Sequence, residues 1–469
     1  MPGQQAKMGS KMDQPSEGLK ALDNFLIKTR NIRFVRLLWL DYVSTLRARV
    51  LVITHFRELI ASGRFHEVGP CFVCLPDDSG PWYENDPAAA VGKLSLIPDL
   101  ESLKPVPGYE HHASVFCYLG DSCASNTDRP SVMGLTLSPL CPRSILLAAV
   151  TKAEDLGVTV LVGIEIEFTV LKTDDNGTSR ALDYPAHQAS SIRTLEIGMV
   201  PIFDEIIDAL TYAGVSVQHY QSEGAQSQFE MALSPLPPMQ AADAFLIARE
   251  CIRSTFRRHG LVATLHPSCG PFGSGLHIHI SADGTRCKTQ SDHKSFLAGI
   301  LSHLPGLCAL GMTTPMSFAR QKPSICGSGQ WVAWGTQNRQ TAVRAIEQNH
   351  WELKAIDGLS CIYLVVAGYV RCGLEGLDSL STLREADCLV DPAFLSDEER
   401  NALQINVRLP DSVSNAVAAL KKDKFLIGIL GPELIESYWL CIEAYDEFLR
   451  KVEERDGYDA QFQHVVQRI

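Results

Sequence analysis

No stretch of this chain is apolar for long enough to cross a bilayer; the longest candidate, residues 358–370, is interrupted by Ser360, Cys361 and Gly368. Basic runs are missing too. A formal net charge of -12 excludes a nucleic-acid backbone or an anionic membrane as the main partner and leaves room only for a local basic pocket that holds a phosphate. Residues 1–18 lack the apolar core of a secretion signal and are rich in Gly, Gln, Ser and Lys, so a disordered tail is expected there and the protein is expected in the cytoplasm. The 14 cysteines form no regular framework, which favours reduced thiols over disulfides. Cys71 and Cys74 make the one close pair, and without a second pair they read as packed core residues rather than half a zinc site. There is no internal repeat, and at 45% hydrophobic composition the chain supports an ordinary globular core.

Residues 19–137 alternate strand-like pieces, at 32–42, 48–53 and 113–118, with Pro, Gly and Asp-rich connections, as expected of a small mixed domain. Pro139-Leu-Cys-Pro-Arg143 then opens a helix that stops at Gly157, with proline in its first turn and glycine past its last. Beyond it, strands alternate with amphipathic helices at 200–213, 239–259, 293–310 and 432–455. Residues 138–469 are therefore expected to form an α+β domain, a curved sheet backed by helices.

Four strand-like segments of that domain reverse the usual arrangement of polar and apolar residues. In Ile164-Glu165-Ile166-Glu167-Phe168, the period of two places both glutamates on one side and the apolar residues on the other. The same reading sets Glu230 against Phe229 and Met231, His277 and His279 against Leu276 and Ile278, and Glu352 against Trp351 and Leu353. Alone, Glu165 and Glu167 fit a solvated edge strand, His277 and His279 a satisfied pair, and Arg339 and Arg344 surface charge. Together, carboxylates gathered on one face require a cation. With Glu223 added, five carboxylates and a histidine suffice for two divalent ions, and oxygen-rich ligands suit Mg²⁺ or Mn²⁺. Arg339 and Arg344 suit a phosphate, which completes a set of groups for phosphoryl transfer. Gly270-Pro-Phe-Gly273-Ser-Gly275 is not a phosphate loop, because it precedes a strand and lacks the Gly-Lys-Ser/Thr ending.

The chain resembles the glutamine synthetases of bacterial type and their fungal relatives. The segments that carry the likeness are Gly163 to Phe168, Glu223-Gly-Ala-Gln-Ser-Gln-Phe-Glu230, Gly273-Ser-Gly-Leu-His-Ile-His-Ile-Ser281, Trp334-Gly-Thr-Gln-Asn-Arg-Gln-Thr-Ala-Val-Arg344 and His350-Trp-Glu-Leu-Lys354. The resemblance implies an N-terminal β-grasp, a half-barrel catalytic domain, and a homo-oligomeric ring of ten or twelve subunits with shared active sites. It implies that Glu167, Glu223 and Glu230 hold one metal ion and Glu165, His277 and Glu352 a second. It places His279, Ser281 and Arg344 at ATP, Gly273 and Arg320 at the amino-acid substrate, and Arg339 at the transferring phosphoryl group. The implied reaction uses ATP to convert the glutamate side chain to an acyl phosphate, which an amine then attacks.

Three positions depart from the family. Arg320-Gln-Lys-Pro-Ser-Ile-Cys326-Gly-Ser-Gly329 contains no acid where the family has a glutamate that helps hold ammonium, and Cys326 stands near that place. Lys354 replaces an arginine, and Phe272 replaces an asparagine beside the substrate. Without that acid an organic amine, rather than ammonia, is the expected acceptor. Asp77 is a candidate contribution from the N-terminal domain. A non-catalytic scaffold that kept the fold is the reading from another class, and a kinase that stops after phosphoryl transfer is a third.

Overall fold

The computed structural model describes residues 15–468 apart from 30, 76–90, 122–129, 184–186, 197, 270–272 and 323–326. Its first element is a helix, Pro15–Lys28, which begins inside the stretch expected to be a tail. Fully buried Leu22 explains the difference, because this helix hides an apolar stripe that its polar neighbours mask in composition. The N-terminal sheet contains β1 (Phe34–Leu40), β2 (Leu46–Val52), β3 (Glu67–Val68), β4 (Leu94–Pro98), β5 (Lys104–Val106) and β6 (Tyr109–Gly120). The order is β2-β1-β6-β4-β3, with β5 also on β6. β1 and β2 form an antiparallel hairpin, helix Ile53–Ser62 follows, and β6 lies parallel to β1, which is the β-grasp arrangement.

A two-strand ribbon of β7 (Ser131–Val132) and β8 (Leu135–Thr136) leads to helix Pro142–Asp155. That helix has proline in its first turn and is followed by Gly157 at φ 66°, the left-handed conformation that ends a helix at least cost in glycine. The second sheet comprises β9 (Val158–Thr173), β10 (Ser179–Ala181), β11 (Val217–Ser222), β12 (Gln228–Leu236), β13 (Val262–Thr264), β14 (Leu276–Gly284), β15 (Trp334–Thr336), β16 (Val343–Glu347) and β17 (His350–Leu353). Its main path runs β11-β12-β9-β14-β17-β16-β15, antiparallel except for the final β15–β16 pair.

The apolar side of this sheet packs on helices. Phe168 is wedged among Phe203, Phe229 and Phe256 at ring separations of 5.8–6.2 Å, and Trp351 stacks on Phe296 at 5.2 Å. Each such buried side chain contributes roughly 1.5–3 kcal/mol, so this face supplies the stability that a polar opposite face does not. Helix Gln290–Gly311 crosses helix Ile362–Asp378 so closely that a Cβ on Gly299 would lie 2.1 Å from the Cys372 carbonyl oxygen.

A buried arginine ties the two sheets together. Arg143 lies 2.6 Å from Asp99, which directly follows β4 of the first sheet, bonds to Asp243 of helix Pro238–Arg258, and donates to the Tyr363 hydroxyl at 2.9 Å. Its guanidinium also faces the rings of Phe116, Tyr118 and Tyr363. Two aspartates and three rings replace the hydration of one buried charge.

Candidate functional site

Strand register decides which polar residues meet. On β9, Glu167 is opposite Glu230 of β12, and Glu165 is opposite His277 of β14. His279 is opposite Glu352 of β17, and Glu352 is opposite Arg344 of β16. Because side chains alternate, all these residues share the face away from the aromatic core. The inverted pattern in four separate segments thus becomes one continuous polar surface.

The contacts across it are short. His277 Nδ1 lies 3.3 Å from Glu165 Oε2 and 3.4 Å from Glu352 Oε1, and its Nε2 lies 3.6 Å from Glu167 Oε1. His279 Nε2 is 3.2 Å from Glu165 Oε1, and His279 Nδ1 is 2.8 Å from His350 Nε2. Arg344 donates to Glu352 at 2.8 Å and to Gln337 at 3.1 Å. Ligand atoms of Glu165, Glu230 and His277 lie within 4.8 Å of one another, as do those of Glu165, His279 and Glu352. Glu165 is common to both groups, a different partition from the one the resemblance implies. Glu223 reaches them through Gln221, whose amide donates to Glu223 at 2.8 Å and to Glu230 at 3.2 Å.

The electrostatics suit a cation. Burial opposes ionisation of Glu165, but bonds from His277 and His279 hold it well below the usual carboxylate range. Burial likewise opposes Glu352, which the charges of His277, Lys354 and Arg344 bring down. Glu230 goes the other way, pushed up to about 8 by burial and by the charge of Glu165. Burial, then the charge of Glu167, raises Glu223. His277 is raised to about 9, because Glu167, Glu165 and Glu352 outweigh its burial. Protons on Glu230 and His277 therefore offset negative charge that a divalent ion would offset more fully. Oxygen donors with one or two imidazoles fit Mg²⁺ or Mn²⁺.

The remaining expected residues are placed less uniformly. Ser281 lies one alternation beyond His279, opposite His350. Arg339 is exposed, and its carbonyl accepts a bond from the Lys354 ammonium. Lys354 is buried on the polar face, so a residue noted as a departure anchors the segment that carries Arg339. Arg320, expected at a substrate carboxylate, is 2% exposed; it donates to the carbonyls of Ile356 at 2.8 Å and Lys354 at 3.4 Å, and its Nε has no hydrogen-bond partner among the described residues. It lies directly against the Gly273–Gly275 segment, where a Cβ on Gly273 would lie 2.5 Å from its Cγ. Phe272, Cys326 and Asp77 lie outside the described residues.

Several members of the site were missed from sequence. Gln228 donates toward Glu167, Gly273 and Ser274, while the Gly275 amide donates to Glu167 at 2.6 Å. Gln221 and His350 also belong to it. Gln228 shares the parity of Glu230, a signal that alternation could have yielded; Gln221 and His350 become significant only through register.

The glutamine synthetase catalytic-domain family model matches residues 139–456. The chain belongs to the glutamine synthetase family. That is a family of ligases that form carbon–nitrogen bonds. The protein fluG of Emericella nidulans is 32% identical over 442 residues, which cover 92% of this chain and 49% of that protein, so the chain spans about half the length of that relative. The gamma-glutamylpolyamine synthetase GlnA3 of Streptomyces coelicolor is 33% identical over 372 residues, 74% of this chain and 75% of the relative. Type-1 glutamine synthetase 1 of Dictyostelium discoideum is 25% identical over 92% of this chain and 89% of its own. Among solved structures, a GmaS/ADP complex superposes with a TM-score of 0.76 at 22% identity, over 92% of this chain and 96% of that one, a likeness of fold. No single helix among the described residues is long and apolar enough to cross a membrane.

Proposed function

We propose that the protein is an ATP-dependent, Mg²⁺- or Mn²⁺-dependent ligase that joins the side-chain carboxylate of glutamate to an organic amine through an acyl phosphate. The observation that carries this reading is the shared polar face, on which Glu165, Glu167, Glu230, Glu352 and His277 converge beside Arg344. Glu167, Glu223 and Glu230, with Glu165, His277 and Glu352, would hold the metal ions. Bound divalent ions offset charge that moves onto phosphate oxygens during transfer. His279, Ser281 and Arg344 would receive the nucleotide phosphates, releasing Arg344 from Glu352. Arg339, exposed and held through its carbonyl by Lys354, would stabilise the moving phosphoryl group. Arg320, which lies against the Gly273 segment, would bind the carboxylate of the amino-acid substrate.

The acceptor is the open half of the reading. An organic amine is favoured by the absence of an acid between Arg320 and Gly329, and a relative named for polyamine ligation supports it. Residues 19–137 and 138–469 would be the N-terminal and catalytic domains of a cytoplasmic homo-oligomeric ring with shared sites. The test is phosphate release from ATP and Mg²⁺ with glutamate and a panel of amines that includes ammonia. A diamine or polyamine as the best acceptor supports the proposal; ammonia as the best acceptor makes the protein a glutamine synthetase. ATP and metal binding without turnover for any amine would identify a scaffold.

A further inference from the structure

Gln228 stands at the boundary between the metal face and the Gly273 segment. Its side chain is 2% exposed, and its Oε1 accepts from the Ala225 amide at 2.9 Å, so the carboxamide is fixed in orientation. Its Nε2 faces three acceptors: Glu167 Oε2 at 3.2 Å, the Gly273 carbonyl at 3.1 Å and Ser274 Oγ at 2.9 Å. A primary amide has two hydrogens. Three acceptors therefore compete for two donors, and one of them is always the loser.

We infer that this shortage makes Gln228 a positioning residue that links cation binding at Glu167 to the order of the Gly273–Ser274 segment. With no cation, the Glu167 carboxylate is the strongest acceptor of the three and holds one hydrogen. A cation that draws on Glu167 weakens its claim, and both hydrogens pass to Gly273 and Ser274. The Gly275 amide, also on Glu167 Oε2, is a second tie on the same segment. Metal occupancy at one end of the site thereby stiffens the backbone at the other, with no large motion. This rests on the proposed metal role of Glu167 but requires neither ATP nor an identified amine.

The test is amide hydrogen exchange over residues 273–279, with and without saturating Mn²⁺, together with Mn²⁺ affinity measured by calorimetry on the full chain. In the wild type, Mn²⁺ should slow exchange in this segment. Gln228→Leu should weaken Mn²⁺ by about 10- to 100-fold, the usual effect of losing a partner of a metal ligand, and abolish the Mn²⁺-dependent slowing even at saturation. Ser274→Ala leaves two acceptors for two hydrogens. It should weaken Mn²⁺ by less than about fivefold and also lose the response, a combination that a merely misfolded variant would not give. Undiminished slowing in both variants, or no slowing in a wild type that binds Mn²⁺, overturns the inference. A wild type that binds no Mn²⁺ overturns the metal assignment itself, and the inference with it.

Discussion

Glu230→Gln separates the cost of the acidic face from its use. Glu230 is 6% exposed and is raised from 4.5 to about 8, first by burial and then by the charge of Glu165. A carboxyl raised on folding adds full stability below its unfolded value and loses it as pH climbs toward the folded value. The loss is about 1.4 kcal/mol per pH unit, so the metal-free protein forfeits ~1 kcal/mol at pH 5.5 and ~4 kcal/mol at pH 8. Glutamine resembles the protonated acid and avoids that loss. In EDTA at pH 8 the variant should melt above the wild type, and at pH 5.5 the gap should narrow to about a third in free energy. Saturating Mn²⁺ should narrow the gap at pH 8 and reverse the order at pH 5.5, because the wild type gains about 2.7 kcal/mol at 100 times its dissociation constant while the variant has lost a ligand charge. Calorimetric scans at both pH values, with and without Mn²⁺, provide the assay. A variant that melts below the wild type by the same amount at both pH values in EDTA would refute the reasoning.

Other outcomes follow from single sites. In Gly275→Ala the new Cβ would lie 2.7 Å from Arg320 Nη2 and 2.8 Å from His277 Nε2, so Mn²⁺ affinity should fall sharply for a stability cost of about 1–3 kcal/mol, read by calorimetry and melting. Arg143→Met leaves Asp243 and Asp99 uncompensated and should cost about 3–5 kcal/mol, seen as a lower melting temperature with Mn²⁺ affinity unchanged. His266, fully buried with its Nδ1 accepting from the Ser268 amide, is pushed down to about 3 by burial. Its contribution is intact above pH 6.5 and declines by about 1.4 kcal/mol per unit as pH falls from 6.5 toward 3, since only the unfolded chain takes the proton. His266→Gln should flatten that part of an acid-unfolding curve.

Much of the site was legible because alternation is local. Glu165 and Glu167 had to share a face wherever their strand lay, and the same held for His277 and His279. What alternation cannot give is the neighbour: that Glu230 faces Glu167, or that Arg344 faces Glu352, depends on turns and distant strands. Gln221 and His350 were hidden for that reason. The backbone partners of Arg320 were hidden too, since the carbonyls of Ile356 and Lys354 come to it only through the fold. The helices Pro142–Asp155, Val200–Tyr212, Pro238–Arg258, Gln290–Gly311 and Pro432–Asp456 were found within a few residues, while Ile362–Asp378, Val413–Lys422, Lys424–Leu430 and Tyr458–Arg468 were not bounded. The first helix was missed because its buried stripe is short and its composition polar.

The Asp99–Arg143 bond has a consequence for anyone who recombines this chain with its relatives. The natural place to cut is between the β-grasp and the half-barrel, and that cut parts the acid from its base. A graft that brings in a foreign N-terminal domain without an acid at the Asp99 position would leave one guanidinium short of a counter-charge. A graft that carries the acid onto a catalytic domain without Arg143 would strand the carboxylate instead. The two halves are separable in sequence but share an ionic lock, so chimeras should be chosen by that pair before overall similarity is consulted.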